Sequence, residues 1–509
     1  MRPAPIYRRV LSRIPALAAM AIMAGAAVLL GSRPLAAASP APTLKLTPCR
    51  LTHPSQLVSV EAQCGRLTVP EDPATPGGRQ LQLFVARVPA VSEHGRPDPL
   101  FVLAGGPGLA ATTFYTGVAP VFERIHRDRD IVLVDQRGTG ASNALTCPGV
   151  TDPDAPDSTA ALVQEARSCL ASLSSHANVA DYTTSLAVRD LDAVRAALGY
   201  ATINLYGGSY GTRVAQHYLR RYPAHTRTVI LDGVVPPQLT LGASLAMDAQ
   251  GALARIFRRC VAAAPCYARF GDPNGTFDAV LAALKARAVP VSVPDPFTGQ
   301  TRSLTFDAAD LAAVVRLSSY STEQSALLPL VLDEAHTHAN FTPIAGLMLQ
   351  VTHSLDDLIA YGMHNSVVCA EDVADYRVQA QDRDRLTRTY MGTAQLDALE
   401  AVCALWPHGP VDADFHQPLE SNRPVLLLSG SDDPVTPPEY AAQAARGLHD
   451  SLQVVLTDMG HGQITAPCAA RLLRRFIELG STHGLEAEIA CMHQTVPTAF
   501  VTSFTGPPP

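Results

Sequence analysis

Residues 206–212 have the sequence Tyr-Gly-Gly-Ser-Tyr-Gly-Thr, which contains the pattern Gly-x-Ser-x-Gly centred on Ser209. Residues 202–206 have the composition of a buried strand, and residues 214–219 have the pattern of a helix. A serine on such a sharp strand-to-helix turn has a strained backbone, and a neighbouring Cβ would collide with the strand or the helix. The free N–H groups at the start of the helix suit an oxyanion formed beside the serine. This context favours a nucleophilic Ser209 over an ordinary Gly-rich turn.

Short β-rich runs alternate with helical patterns on both sides of this turn. The alternation predicts an α/β fold with a mostly parallel, doubly wound sheet that helices cover on both faces. An opening hairpin and further strands are predicted over residues 67–69, 81–86, 99–103, 131–134, 228–231, 424–428 and 452–456. Amphipathic helices are predicted over residues 186–198 and 469–479.

One long stretch interrupts this alternation. Residues 238–420 consist mostly of Ala- and Leu-rich helical patterns, for example over 279–288 and 308–317, and they predict a helical cap inserted into the sheet domain. The expected order of segments is a signal peptide (1–38), the first part of the core (39–237), the cap (238–420), the C-terminal part of the core (421–495) and a tail (496–509).

The first 38 residues have the pattern of an export signal. Four Arg within residues 2–13 precede an apolar run over 14–30, and three Ala before Ser39 fit a cleavage site. The alternative is an uncleaved membrane anchor, because the run approaches the minimum of about 17 residues for a membrane span. The small-residue site favours cleavage. We therefore predict a secreted or periplasmic protein without stable membrane association.

The charge of the chain argues against two classes of partner. Its net charge of −7 becomes −12 once residues 1–38, which hold five Arg and no acidic residue, are removed. An acidic exported protein is a poor candidate for binding nucleic acid or anionic membranes.

Ten Cys follow the predicted signal peptide. An even number of Cys in an exported chain indicates disulfides, and the alternative is a set of free buried thiols. Because the Cys fall in close sequential pairs, we predict the bonds 49–64, 147–169, 260–266, 369–403 and 468–491. The run His336-Thr337-His338 is better explained by an exposed helix end than by a metal site.

A serine nucleophile needs a base, and the base needs an orienting carboxylate. In a parallel sheet these groups lie just beyond the carboxyl ends of strands. His461 lies in a Gly-rich loop after the strand predicted over 452–456, and Asp433 follows the strand predicted over 424–428. The order Ser209, Asp433, His461 is that of α/β-hydrolases, so we predict that fold and this triad. Asp432 is the competing carboxylate.

Two further loops are expected to complete the site. Residues 105–108, Gly-Gly-Pro-Gly, follow an early strand, and glycine lets the backbone approach a substrate oxygen closely. We predict that the backbone N–H groups of Gly106 and Tyr210 form the oxyanion hole, with Gly105 as the alternative first donor. Asp135 and Arg137 are predicted to support these loops as a buried ion pair or a turn cap.

Four motifs, at residues 104–108, 135–140, 207–212 and 433–437, together resemble those of the tripeptidyl aminopeptidase and proline iminopeptidase family of exported α/β-hydrolases. The resemblance covers most of the chain from Cys49 to Cys491. It implies a serine peptidase that removes residues from free peptide N-termini. One departure is Ala104, where many relatives have His.

The resemblance also implies that carboxylates of the cap hold the substrate ammonium. Residues 366–372 resemble the family's Cys-x-acid segment, which puts Glu371 at the acidic position and Asp372 beside it. A desolvated carboxylate opposite an ammonium suits an exopeptidase, because a blocked terminus would leave that charge unpaired. The alternative is that Glu371 caps a helix.

Together these features predict an exported serine aminopeptidase that acts on short peptides through an acyl-enzyme and needs no metal or cofactor. A carboxylesterase or amidase would use the same triad, because the fold does not select the leaving group. A non-catalytic binding protein is the third possibility. The number of residues removed and the oligomeric state stay open.

Overall fold

The computed structural model describes residues 44–55, 57–147, 159–242, 244–356, 358–373 and 380–505. All of them belong to one compact unit, Pro42–Pro509. The predicted signal peptide lies outside the described residues, as do the last four residues of the predicted tail.

The strands of the described chain are β1 (Thr47–Thr52), β2 (Ser59–Pro70), β3 (Gln80–Val88), β4 (Arg96–Leu103), β5 (Arg129–Val134), β6 (Ile203–Gly208), β7 (Thr226–Asp232), β8 (Val289–Pro294), β9 (Thr301–Phe306), β10 (Val425–Gly430) and β11 (Ser451–Leu456). The helices of the first half are α1 (Ala111–His126), α2 (Thr159–Leu173), α3 (Thr184–Ala197), α4 (Tyr210–Arg221), α5 (Leu245–Ala262), α6 (Ala264–Phe270) and α7 (Pro273–Ala286). The remaining helices are α8 (Ala308–Ser318), α9 (Thr322–Ser325), α10 (Leu328–His338), α11 (Thr342–Asp356), α12 (Tyr361–Glu371), α13 (Ala380–Leu386), α14 (Ala394–Cys403), α15 (Pro438–Ala445), α16 (Ala469–Leu479) and α17 (Glu486–Met492).

Nine of these strands form one sheet in the order β1-β2-β3-β5-β4-β6-β7-β10-β11. Every neighbouring pair from β5 to β11 is parallel, whereas β1, β2 and β3 pair in the antiparallel sense. The predicted hairpin is confirmed, because Leu67 in β2 pairs with Leu83 in β3. The mostly parallel α/β-hydrolase sheet is likewise confirmed.

Helices cover both faces of this sheet. Leu205 and Leu231 pack on one face with Val214 of α4, whereas Tyr206 and Leu428 pack on the other face with apolar residues of α1 and α16. Successive residues of one strand therefore enter opposite apolar clusters. Burying a side chain such as Leu contributes roughly 1.5–3 kcal/mol, so strands of this kind need continuous apolar sequence.

The segment between β7 and β10 has an apolar cluster of its own, which includes Phe257, Phe306 and Val314. The helices predicted over 279–288 and 308–317 correspond to α7 and α8. The hairpin β8–β9 was not expected in a helical segment. The sequence from Val289 to Val293 alternates, with Val291 and Val293 buried, which is the period-two pattern of a strand. This short pattern was missed because the flanking sequence is helical.

The five predicted disulfides are confirmed, and the described residues include no free cysteine. Each disulfide that closes a loop of 15 to 34 residues would contribute about 3 kcal/mol or more to stability in the chain-entropy model. The His336-Thr337-His338 run ends α10 and is exposed. In the described part of the chain, no helix has both the length and the apolar character that a membrane span requires.

Candidate active site

Ser209 lies between β6 and α4 with φ 54° and ψ −123°. A non-glycine residue in this region costs about 1–3 kcal/mol and persists only where the surrounding structure enforces it. The turn has no room for side chains at its glycines, since a Cβ on Gly207 would lie 2.3 Å from the Gly211 carbonyl oxygen. A Cβ on Gly211 would lie 2.5 Å from the Leu103 carbonyl oxygen. The two glycines therefore let α4 approach the sheet and force Ser209 outward.

The first turn of α4 presents backbone donors beside Ser209. Tyr210 is the first residue of this helix, so its N–H has no carbonyl partner within the helix. Across the turn, a Cβ on Gly105 would lie 3.0 Å from the Ser209 Cβ. Gly106 has φ +104° and lines the same cavity as Ser209. The assignment of the Gly106 and Tyr210 N–H groups to an oxyanion hole stays a prediction. The positions of the two residues beside Ser209 are compatible with it.

The loop over 105–108 is held in place by residues of the segment between β7 and β10. The Ala360 N–H donates to the Gly108 carbonyl, with 3.1 Å between N and O. His364 of α12 contacts the Pro107 carbonyl through Nδ1 at 3.2 Å, and burial lowers the pKa of this imidazole. Ala104, which precedes this loop, has no side-chain group that forms hydrogen bonds. The contacts of Ala360 and His364 are therefore among those that position the loop.

His461 and Asp433 form the second part of the site. Nδ1 of His461 lies 2.7 Å from Oδ2 of Asp433, whose side chain is fully buried. Because a carboxylate only accepts, this contact places the imidazole proton on Nδ1 and leaves Nε2 as an acceptor. The Thr436 hydroxyl donates to the same Oδ2 at 2.7 Å, and the backbone N–H groups of Val435 and Thr436 donate to Oδ1.

The two partners shift each other's pKa. Burial alone would raise the pKa of Asp433, but the facing His461 and the Thr436 hydrogen bonds hold it below its ordinary value. Burial alone would lower the pKa of His461, but the Asp433 carboxylate outweighs that effect and raises it. A base that is more easily protonated than ordinary imidazole suits proton abstraction from a hydroxyl near neutral pH.

Asp432, the competing carboxylate, contacts other groups. One of its oxygens lies 3.4 Å from the Arg255 guanidinium and accepts from the Ser431 hydroxyl. Asp433 is therefore the one of these two carboxylates that meets His461.

Both halves of the site attach to the end of β7. The Ser209 N–H donates to the Asp232 carbonyl at 2.8 Å. At the next residue, a Cβ on Gly233 would lie 2.8 Å from Cε1 of His461, so the imidazole packs directly against this backbone. Ser209 and His461 thus contact two adjacent residues, Asp232 and Gly233 respectively.

Two family models match separate parts of this chain. A model described as alpha/beta hydrolase fold matches residues 98–259, which include Ser209. A model described as TAP-like protein matches residues 388–491, which include Asp433 and His461. The chain therefore has the α/β-hydrolase fold, and its C-terminal part is similar to TAP-like proteins.

Named relatives extend over most of this α/β-hydrolase. It is 27% identical to serine protease Hip1 of Mycobacterium tuberculosis over 80% of this chain and 83% of that protein. It is 26% identical to the tripeptidyl aminopeptidase of Streptomyces lividans over 86% of this chain and 84% of that protein. It is 29% identical to carboxylesterase B of M. tuberculosis over 76% of this chain and 78% of that protein.

Binding of a substrate ammonium by Glu371 and Asp372 stays a prediction, and the structure shows both carboxylates engaged with other residues of the protein. Both side chains are fully buried. Asp372 accepts twice from Nη1 of Arg213, at 3.0 and 3.1 Å, and once from the Leu241 N–H. Glu371 accepts from the N–H and the hydroxyl of Thr184. These carboxylates therefore tie α12 to α4 and α3, and their oxygens are engaged within the protein.

The supporting roles expected for Asp135 and Arg137 agree with their contacts. Asp135 accepts from the N–H and hydroxyl of Thr112 and from the Ala141 N–H, so it joins the first turn of α1 to its own loop after β5. Arg137 forms a buried bidentate pair with Asp190, with N–O distances of 2.7 and 2.9 Å.

A cavity of about 390 Å³ opens at Ser209 and Gly106. Its walls are mostly apolar and come from α2, α12 and α14, together with the Cys147–Cys169 disulfide. Tyr320, between α8 and α9, also lines it; the Tyr320 carbonyl accepts from the His461 N–H at 2.8 Å. The segment between β7 and β10 therefore contacts His461 directly.

Some residues of this site were missed at the level of sequence. Thr436 lies in the Asp-Pro-Val-Thr-Pro motif, where a hydroxyl three residues after the acid was a usable signal. Asp232 directly follows the strand predicted over 228–231, at the carboxyl edge of the sheet, and this position was also a usable signal. Glu165, which lines the cavity, lies in a helix that comes from a region without clear periodicity, and nothing local singled it out.

Proposed function

We propose that this protein is an exported serine aminopeptidase that releases residues or short peptides from free peptide N-termini. The observation that carries the proposal is the buried hydrogen bond between Asp433 and His461. The His461 imidazole packs against the end of β7, and the strained Ser209 turn is hydrogen-bonded to the same strand end. A relative named tripeptidyl aminopeptidase supports the preference for N-termini.

The proposed reaction is a two-step acyl transfer. Oγ of Ser209 attacks the substrate carbonyl carbon while Nε2 of His461 takes its proton. The tetrahedral oxyanion is stabilised by the N–H groups of Gly106 and Tyr210, and each such donor typically contributes about 2.7–4 kcal/mol. The imidazolium returns its proton to the leaving amine as the C–N bond breaks. Water then attacks the ester carbonyl carbon while its proton passes to His461, the C–Oγ bond breaks, and the imidazolium returns that proton to Oγ of Ser209 as the acid product leaves.

The cavity beside Ser209 is proposed to hold the part of the peptide on the N-terminal side of the cleaved bond. Among the described residues that line it, Glu165 is the only carboxylate. A carboxylate at a largely apolar wall favours an ammonium and disfavours a blocked, neutral N-terminus. Glu165 is thus a further candidate for binding the ammonium, beside Glu371 and Asp372.

Export is proposed on two grounds. Residues 1–38 have the pattern of a cleavable signal peptide. Five disulfides persist only in an oxidising compartment, which supports a secreted or periplasmic location.

Free and N-acetylated forms of one tripeptide naphthylamide will test this function against the esterase alternative, which the relative named carboxylesterase B favours. We expect release of naphthylamine from the free form to exceed that from the acetylated form by about 10- to 100-fold in kcat/KM, because a charge-assisted hydrogen bond contributes about 1.5–3 kcal/mol. A preference for the acetylated form, or hydrolysis of nitrophenyl esters alone, would contradict the aminopeptidase.

The variant Glu165→Gln should remove this discrimination. We expect kcat/KM for the free tripeptide naphthylamide to fall by about 10-fold or more, because the amide keeps the shape of the side chain but not its charge. Cleavage of the acetylated form should change little. The matched control is Glu123→Gln, which alters an exposed glutamate of α1 outside the cavity. Equal losses on both substrates would remove Glu165 from ammonium binding.

A further inference from the structure

Asp232 is the last residue of β7 and has hydrogen bonds to both catalytic loops. Its carbonyl accepts from the Ser209 N–H at 2.8 Å. Its carboxylate accepts from the N–H of Gln463 at 2.7 Å and from the N–H of Ile464 at 3.1 Å, two and three residues after His461. One residue therefore bonds the turn of the proposed nucleophile and the loop of the proposed base.

A third donor comes from the strand that leads to Ser209. The Tyr206 hydroxyl donates to Oδ2 of Asp232 at 3.1 Å, and both side chains are 1% exposed. Removing a carboxylate from water is costly, and here two peptide N–H groups and one phenol satisfy it. Burial raises the pKa of Asp232 to about 6, so the group is still ionised at neutral pH.

The backbone after Asp232 limits the position of the imidazole. Gly233 has φ +69°, and a Cβ there would lie 2.8 Å from Cε1 of His461. His461 is therefore packed between this glycine and Tyr320, whose ring centroid is 5.1 Å from its own. If residues 463 and 464 were released, the His461 loop would lose its hydrogen bonds to the Asp232 carboxylate at the end of β7.

We propose that Asp232 is a positioning residue that sets the separation of the Ser209 turn and the His461 loop. It does so through its carboxylate, which neither touches the substrate nor takes part in the proton transfers. The role rests on the proposed functions of Ser209 and His461. Reactive groups displaced by 1 Å can lose about 100-fold in rate, so a fixed attachment of this kind has a kinetic consequence.

The test uses Asp232→Asn and the hydrolysis of a nitrophenyl ester, which reports on the triad independently of the N-terminus. An asparagine can accept from one of the two peptide N–H groups but places its own amide N–H against the other. We expect kcat to fall by about 100-fold with little change in KM, because geometry and not binding is altered. The rate of labelling by a fluorophosphonate should fall in parallel.

The pH dependence of kcat/KM distinguishes an effect at the site from a general loss of stability. The titratable side chains that face the Asp232 carboxylate in the described residues are Tyr206 and His461. The Asp232 charge contributes to the raised pKa of His461, after the larger contribution of Asp433. Asp232→Asn should therefore move the acid limb of kcat/KM to lower pH.

The matched control is Asp98→Asn, which alters a buried carboxylate of β4 that is bonded to Arg129 and Asn204 instead of a catalytic loop. It should lower the melting temperature without moving the acid limb or the kcat of the folded enzyme. If Asp232→Asn does not fold, Tyr206→Phe removes one donor to the same carboxylate and should lower kcat several-fold at constant KM.

Wild-type kcat and an unmoved acid limb in Asp232→Asn would overturn the positioning role, while labelling of wild-type Ser209 would leave the proposed function intact. For a non-folding Asp232→Asn, wild-type kcat in Tyr206→Phe would overturn it equally. A wild-type protein that neither hydrolyses the ester nor is labelled would instead refute the proposed function.

Discussion

Replacing Ser209 with Ala should lower kcat for peptide hydrolysis by about a million-fold, because no other group can form the acyl-enzyme. The loss should appear in kcat and not in KM, since the cavity that holds the peptide is unchanged. The measurement is release of naphthylamine from a free tripeptide substrate at saturating concentration.

The control for this substitution is Ser174→Ala, an exposed serine that follows α2. Both variants should retain the wild-type melting temperature, since neither removes buried apolar surface. Activity of Ser209→Ala comparable with that of Ser174→Ala would refute Ser209 as nucleophile.

The second large effect is expected at the paired carboxylates after β10. Asp433→Asn should lower kcat by about 10⁴-fold, because an amide at this position no longer holds the Nδ1–H tautomer or stabilises the imidazolium. Asp432→Asn should leave kcat nearly unchanged, since that side chain contacts Arg255 and Ser431 instead.

The pH dependence of Asp433→Asn has a definite direction. Although burial opposes protonation of His461, the Asp433 charge raises the pKa of the imidazole. In the wild type, kcat/KM should therefore begin to fall on acidification at a pH above the ordinary pKa of imidazole. Without the charge the pKa drops, so the acid limb of Asp433→Asn should move to lower pH. A large loss in Asp432→Asn with a nearly active Asp433→Asn would reverse the assignment.

The features that the sequence predicted well are those with a local physical cause. Buried strands on both faces of a parallel sheet require apolar runs, and Leu426 to Leu428 is such a run. The turn at Ser209 needs Gly207 and Gly211 because neighbouring carbonyls exclude a Cβ. His461 and Asp433 follow predicted strands at the edge where the loops of parallel strands converge, which is why three distant motifs could be assigned to one site.

The features that it did not predict depend on long-range contacts. Glu371 and Asp372 occupy a motif position that implied contact with substrate, but Arg213, which lies 159 positions from Asp372, pairs with both carboxylates in the interior. The roles of Asp232 depend on peptide N–H groups 231 and 232 positions away, which no sequence period encodes. The hairpin β8–β9 pairs two alternating runs inside an otherwise helical segment.

The central claim is that Asp433 and His461 activate Ser209 as the nucleophile of a serine peptidase. Its most direct test is mass spectrometry of the mature protein after treatment with a fluorophosphonate. We predict one covalent adduct, located on the peptide that contains Ser209, whose rate of formation decreases in Asp433→Asn. An unlabelled wild-type protein, or an adduct that persists in Ser209→Ala, would contradict the account.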